Sequence, residues 1–373
     1  MKILAIETSC DDTGISVIEE KNGEIALKSN IVSSQVLLHR KWGGIYPTLA
    51  KREHQKNLVP VLMKALKEAD FLKKEKTKNY ESKELEKILE KETVLLKRLE
   101  AFLKTYKKPD IDCLAVTQGP GLEPALWVGI NFAKALSFAW KKPIIPVNHI
   151  EAHILANWLP KKGKNIKLPA VCLVVSGGHT QLVLMKGFGK YKLIGETRDD
   201  AAGECFDKIA RILGLEYPGG PAISREAEKA KGGDIKFPRP MISQKNYDFS
   251  FSGLKTAVLY HSQKEKKTKE YVRQASKEAQ QAIIDVLVKK TINAAKDFKA
   301  ESVLLGGGVA SNKELRRQMA DSLKKKIPSL PLYIPDPEYC TDNGAIVALS
   351  ALLGKKKAIS FKKLKADSNA RLD

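Results

Sequence analysis

No C-x-x-C pair occurs in this chain of 373 residues, and its five cysteines (Cys10, Cys113, Cys172, Cys205 and Cys340) are scattered and odd in number. That excludes a thiolate zinc site and a disulfide framework, and it points to a reducing compartment, the cytoplasm. G-x-x-x-x-G-K-[ST] is absent, so there is no Walker A loop, and no G-x-G-x-x-G follows the first apolar run, which weighs against a Rossmann dinucleotide domain. No apolar stretch approaches the roughly 20 residues that span a bilayer, so no membrane association is expected. The strand-like KILAIE follows Met1 directly, and no signal peptide is expected. Acidic charge is also scarce: 43 Asp and Glu stand against 65 Lys and Arg, a net +22. Such an excess attracts polyanions, nucleic acid above all, although solvated lysine-rich helix faces would give the same count.

The length suits two domains. MKILAIETSCDDTGISVI sets an apolar run, a polar turn and a second apolar run in order, a β-hairpin signal. VCLVVSGGHTQLVLM repeats the plan from residue 171. Two such hairpins, each opening a series of strands and helices, predict an internally duplicated α/β protein. Between them, DIDCLAVTQGPG reads as a strand ending in a glycine loop, PALWVGINFAKALSFAWKK as an amphipathic helix, KKPIIPVNH as a strand and HIEAHILANWL as a helix. Later come a helical region from about Lys264 to Phe298, the strand SVLLGGG, and a closing helix within CTDNGAIVALSALLG. The basic tail KKKAISFKKLKADSNARLD is expected to fray. Residues 73–108 are crowded with charge and lack glycine, with Leu85, Leu89, Leu96, Leu99 and Leu103 at helical spacing. They predict one amphipathic helical insertion, packed on the domain surface or presented as a basic arm.

Backbone N–H groups reach a phosphate most closely from glycines that follow strands. Four places qualify: SGGHT (176–180), QGPG (118–121), YPGG (217–220) and GGG (306–308). Together they favour a nucleotide held between two lobes. The tip TSCDDT offers the carboxylates Asp11 and Asp12 for a metal or a base, or simply an Asx-capped turn.

His149 and His153 in HIEAH share one helix face and can serve one ion, or can be ordinary core histidines. In the peptidase motif H-E-x-x-H the glutamate follows the first histidine, whereas here Ile150 does. At about 100° per residue Glu151 lies roughly 200° from His149 and points away, so the peptidase reading loses its base. The best third ligand is Asp342 in YCTDNG, at a loop-to-helix junction. Two histidines and one carboxylate with open positions suit iron(II) or zinc.

ETSCDDTGISV, GGIYPTLAKREH, PVNHIEAH, VSGGHTQLV, DDAAGECFDKIARILGLEYPGGP, FPRP, FSFSGLKTAV, GGGVASN and CTDNGA, collinear from residue 3 to about 350, resemble the TsaD-type tRNA N6-adenosine threonylcarbamoyltransferases, once classed as glycoproteases, in their bacterial and organellar branch. The resemblance implies a duplicated, two-lobed actin/Hsp70-like (ASKHA) α/β fold with a nucleotide cleft between lobes. It implies transfer of a threonylcarbamoyl group from threonylcarbamoyl-adenylate to N6 of the adenosine 3′ of the tRNA anticodon. By the same match, His149, His153 and Asp342 are metal ligands, for iron most often. Val174, Val175, Ser176, Gly177, Gly178, Asp207, Gly220 and Asn312 hold the adenylate, or ATP. Asp11 faces the cleft and is the candidate base. A TsaB-like paralogue and a small TsaE-like ATPase are the implied partners. The expected lobes are 1–135 and 136–344, with 345–373 as a closing helix and tail on the first. Two departures stand out: the length of 73–108, and Ser224 where some members carry aspartate. The competing readings are an ATPase or sugar-kinase-like phosphotransferase and an ATP-binding RNA scaffold, neither of which needs the histidine pair.

Overall fold

The computed structural model describes residues 1–75, 82–159, 165–354 and 356–372. The chain forms two compact units, one of Met1–Gln35, Ile45–Gly163 and Asp342–Leu372, the other of Val36–Gly44 and Lys164–Thr341. In the first, β1 (Lys2–Glu7), β2 (Asp12–Lys21), β3 (Glu24–Ser34), β4 (Cys113–Gly119) and β5 (Ile144–Asn148) make a sheet of order β3-β2-β1-β4-β5. β2 runs antiparallel to both β1 and β3, while β4 pairs parallel with β1 and β5 parallel with β4. In the second, β6 (Ala170–Val175), β7 (Thr180–Gly187), β8 (Lys190–Glu196), β9 (Ser302–Gly306) and β10 (Leu332–Tyr333) repeat the plan as β8-β7-β6-β9-β10, with the same pattern of strand directions. The duplication expected from the two hairpins is therefore present strand for strand, and the fold class is the expected α/β one.

Local chemistry accounts for the elements. β1, β4, β6 and β9 are near-continuous apolar runs because they are interior strands buried on both faces, and edge strand β5 is buried too, with Ile359 bridged to its Ile144. Edge strand β3 instead alternates exposed and half-buried residues. Asn22 and Gly23 both take positive φ (55° and 82°), the two-residue turn whose twist suits a hairpin. Each unit has its own apolar core.

Three sequence expectations need correction. The unit boundaries differ from 135/136 and 344/345: β5 pairs with β4, which keeps the helix His149–Leu155 in the first unit, and helix Gly344–Leu353 packs on β1 and β2. The charged segment is two helices, Ser82–Ile88 and Thr93–Thr105, with Leu85, Leu89, Leu99, Phe102 and Leu103 buried in the first unit's core; residues 76–81 lie outside the described ones. The helical region expected from about Lys264 to Phe298 is present as the helix Lys269–Asp297, preceded by the separate helix Ser252–Lys264. The tail does not fray. Leu364 is fully buried, Ile359 bridges Ile144, and Asp367 N donates to Gln118 O (2.9 Å).

Candidate metal centre and substrate loops

The first unit carries the metal candidates. Asn148 ends β5 and caps the helix His149–Leu155, its Oδ1 accepting from Ile150 N (2.9 Å) and Glu151 N (3.2 Å). Capping fixes the helix start and so aims both imidazoles. Asp342 is placed in the same way by the next residue: Asn343 caps helix Gly344–Leu353 with bonds from Ala345 N (3.0 Å) and Ile346 N (3.2 Å). Gly344 lets that helix start against β2, since a Cβ there would stand 2.5 Å from Ser16 N.

The three ligand candidates converge. His149 Nε2 and His153 Nε2 are 3.2 Å apart, and Asp342 Oδ1 lies 3.6 Å from the first and 3.2 Å from the second. Both histidines are buried and Asp342 is half-buried. Ligands about 2.1 Å from one ion, at angles between about 90° and 120°, are separated by about 3.0–3.6 Å, so this triangle fits a transition-metal face with open positions beyond it. Glu151, also buried, has its Oε1 beside Gly354. It points away from the histidines, as the helical spacing predicts.

Behind His149 stands a group that the sequence reading passed over. Glu7, at the end of β1, is wholly buried; its Oε2 lies 3.3 Å from His149 Nδ1 and accepts from Thr117 Oγ1 (2.6 Å), while Oε1 accepts from Ser9 N (2.5 Å). Ser9 Oγ is also 3.3 Å from His149 Nδ1. A carboxylate behind an imidazole fixes the tautomer and leaves Nε2 as the ligand. Burial alone would lower the His149 pKa, but Asp342 and Glu7 raise it, to about 9. His153 is pushed down by burial and by His149. A glutamate closing the apolar run KILAIE, directly before the polar hairpin tip, was the available signal. The tip is also clamped: Thr13 Oγ1 meets His54 Nδ1 at 2.8 Å and His54 Nε2 meets Cys10 O at 3.0 Å. Asp11 is nearly buried there, and burial, then the Asp342 charge, raises its carboxyl to about 6. The adjacent Asp12 is raised to about 7 by burial and by Asp11.

QGPG is not open to a phosphate. Gln118 O and Gly121 N are bonded to Asp367 N (2.9 Å) and Ser368 O (3.3 Å) of the chain's own tail.

The other glycine loops gather in the second unit. Ser176–His179 is a tight turn, with Ser176 N donating to His179 O (2.8 Å) and His179 N to Ser176 Oγ (3.2 Å). Side chains built at Gly177, Gly178, Gly220 and Gly308 would meet nothing within 4 Å. Val174 and Val175 are fully buried in β6, so their side chains offer a ligand no surface and serve to place the turn. The helix Ala202–Ile212 starts on that turn through Gly203 N to Ser176 O (3.1 Å). It presents Asp207, whose Oδ1 accepts from Gly219 N (2.7 Å). Ser224 then joins Gly220 O (3.0 Å), Gln280 Oε1 (2.8 Å) and Asn312 Nδ2 (3.0 Å). Asn312 in turn caps helix Lys313–Lys326 through Leu315 N (2.9 Å). One hydrogen-bonded path thus links the loops at Ser176, Asp207, Gly220 and Asn312. Gly307 (φ 87°) sits where a Cβ would lie 2.4 Å from Val175 O, a position only glycine fills without strain.

The family model described as "TsaD: tRNA N6-adenosine threonylcarbamoyltransferase" matches residues 26–78 and 92–349. The chain belongs to the TsaD family. Its activity is accordingly transfer of a threonylcarbamoyl group to N6 of a tRNA adenosine. The TsaD-family proteins of Persephonella marina (44% identical, 100% of this chain, 95% of that protein) and Thermomicrobium roseum (43%, 94% and 91%) carry that enzyme name. Among solved structures, T. kodakarensis HypF superposes with a TM-score of 0.57 at 14% identity, over 94% of this chain and 47% of that one, a likeness of fold alone. The TsaD match resumes at residue 92, so the departure expected over 73–108 shrinks to residues 79–91. Among the described residues no helix is long and apolar enough to cross a membrane.

Proposed function

We propose that the donor is threonylcarbamoyl-adenylate, that the acceptor is the adenosine 3′ of the anticodon, and that His149, His153 and Asp342 hold iron(II), with zinc as the alternative. The observation that carries this reading is the triangle of three ligand atoms 3.2–3.6 Å apart in a TsaD-family chain. A bound divalent ion supplies Lewis acidity and a template for oxygen ligands. The chain's own groups do the rest. Glu7 holds His149 in the tautomer that presents Nε2. Ser176, Gly177 and Gly178, with Asp207, Gly220 and Asn312, hold the adenylate through open backbone N–H groups and the hydrogen-bonded path that supports them, with Val174 and Val175 setting the turn. The donor is already a mixed anhydride, so no covalent nucleophile is required and catalysis is chiefly positioning. The adenosine amine forms the new C–N bond at the carbamoyl carbon, the C–O bond to phosphate breaks, and AMP leaves with that electron pair. Asp11 takes the amine proton. We assign the protein to the cytoplasm, acting with a TsaB-like paralogue and a TsaE-like ATPase.

The test is mass spectrometry of nuclease-digested tRNA after incubation with preformed adenylate and those partners. Threonylcarbamoyladenosine should form with the wild type and disappear, together with bound metal, in His149→Ala/His153→Ala. ATP hydrolysis without modified nucleoside, under every partner combination, would favour the ATPase reading.

A further inference from the structure

The tail beyond residue 349 lies outside the family match, yet it is laid down in register on the first unit. It runs antiparallel to the end of helix Glu123–Trp140 and the start of β5. Ile359 bridges Ile144, the Phe361 and Phe138 rings stand 5.9 Å apart, and Lys365 is close enough to Lys134 to add to the burial that lowers its pKa. Because the bridge is antiparallel, Lys362 and Lys363, just after Ile359, leave it at the same end as Lys141 and Lys142, just before Ile144, and Lys365 follows along the helix toward Lys134. Lys108 joins them: burial lowers its pKa, and Lys142 and Lys141 lower it further. Among the described residues none of these six lysines makes an ion pair with a carboxylate. The nearby acids are engaged elsewhere, Asp110 with Lys2 (2.5 Å), Asp112 with Lys2 N (2.7 Å) and Asp367 with Asn369 N (3.2 Å).

We propose that this lysine face is a docking surface for the ribose-phosphate backbone of the tRNA substrate. A surface of like charges that the fold itself brings together, without carboxylates to neutralise it, is stabilised by a polyanion that releases its own counterions. The position suits this substrate. After Lys365 the tail continues through Asp367 and Ser368 to Arg371, whose carbonyl accepts from Asn148 Nδ2 (3.1 Å), and Asn148 caps the metal-site helix. Six residues of chain reach at most about 20 Å, so the lysines lie within an anticodon stem-loop's length of that helix. The inference rests on the tRNA-modifying activity and adds the surface that holds the substrate.

Two variants test it in the full-length protein with its partners: Lys141→Gln/Lys142→Gln and Lys362→Gln/Lys363→Gln. Filter binding to unmodified tRNA across a salt series should show each pair lowering the slope of log Kd against log salt by about 1.5–2. The KM for tRNA should rise roughly tenfold for about two lost phosphate contacts, with kcat at saturating tRNA and metal content unchanged. An unchanged salt slope and KM in both variants would overturn the proposal. So would loss of co-sedimentation with phosphatidylglycerol vesicles while tRNA binding stays intact, which would assign the face to membranes. tRNA binding is read without turnover, so failure of the wild type to make product is a separate result.

Discussion

Replacing Glu7 by glutamine changes one atom in a fully buried position and should loosen the metal site without touching a ligand. Glu7 Oε1 accepts from Ser9 N (2.5 Å), and Oε2 accepts from Thr117 Oγ1 (2.6 Å) and faces His149 Nδ1 (3.3 Å). A carboxylate accepts at all three places. An amide accepts on one side and donates on the other. If its oxygen stays on Ser9 N, its NH2 faces His149 Nδ1 and favours the tautomer with the proton on Nε2, the nitrogen that must be bare to bind metal. Loss of such a supporting carboxylate costs about 10–100-fold in metal affinity, or about 1.4–2.7 kcal/mol. The assay is competition with a chromogenic chelator for cobalt(II) or zinc, run beside Thr117→Val, which removes one partner of Glu7 but leaves its charge. Glu7→Gln should bind metal at least tenfold more weakly than wild type, with Thr117→Val nearer to it. Affinity within twofold of wild type for Glu7→Gln would refute the orienting role.

Other substitutions probe the frame. Leu99→Ala, in the helix Thr93–Thr105, should cost about 2–5 kcal/mol in urea denaturation, because Leu99 is fully buried in the first core. A cost below about 0.5 kcal/mol would make that helix a surface appendage. Gly307→Ala should weaken AMP binding in calorimetry more than Gly214→Ala, since both glycines have positive φ but only at 307 does the new Cβ strike backbone, Val175 O at 2.4 Å. Lys290→Met should cost about 1–3 kcal/mol and speed amide exchange over residues 241–247, because the buried Lys290 Nζ holds Gln244 O (3.0 Å) and Asn246 O (2.5 Å).

The parts of this protein legible in its sequence were those governed by short-range pattern. Strand periodicity in KILAIE and VCLVV, glycine after strands, and i,i+4 spacing in HIEAH each act over a few residues, and they led to the duplicated sheets and to two ligand candidates on one helix face. Asp342 was reachable because a carboxylate at a loop-to-helix junction is also a local signal. What stayed hidden depended on distant packing. The role of Glu7 appears only when β1 is set beside the helix of His149, 142 residues away in sequence. The tail reads as disordered because its lysines are exposed, while Ile359, Phe361 and Leu364, too widely spaced to suggest an element, anchor it. QGPG has the composition of a phosphate loop, but its backbone groups are taken by Asp367 and Ser368.

The first unit is assembled from three stretches of chain, with Asp342 and the helix after it following the main stretch of the second unit. A ribosome releasing the chain from its N-terminus would let 164–341 emerge whole before the third ligand leaves the exit tunnel. The proposed ligand set is therefore complete only after the main stretch of the second unit has been made, and a nascent chain stalled before residue 342 carries the histidine pair without its carboxylate. On such a timetable any ion bound by all three groups enters after the second unit's main stretch is made, and truncation before residue 342 removes that site while sparing the sheet that carries the loops at Ser176 and Gly307.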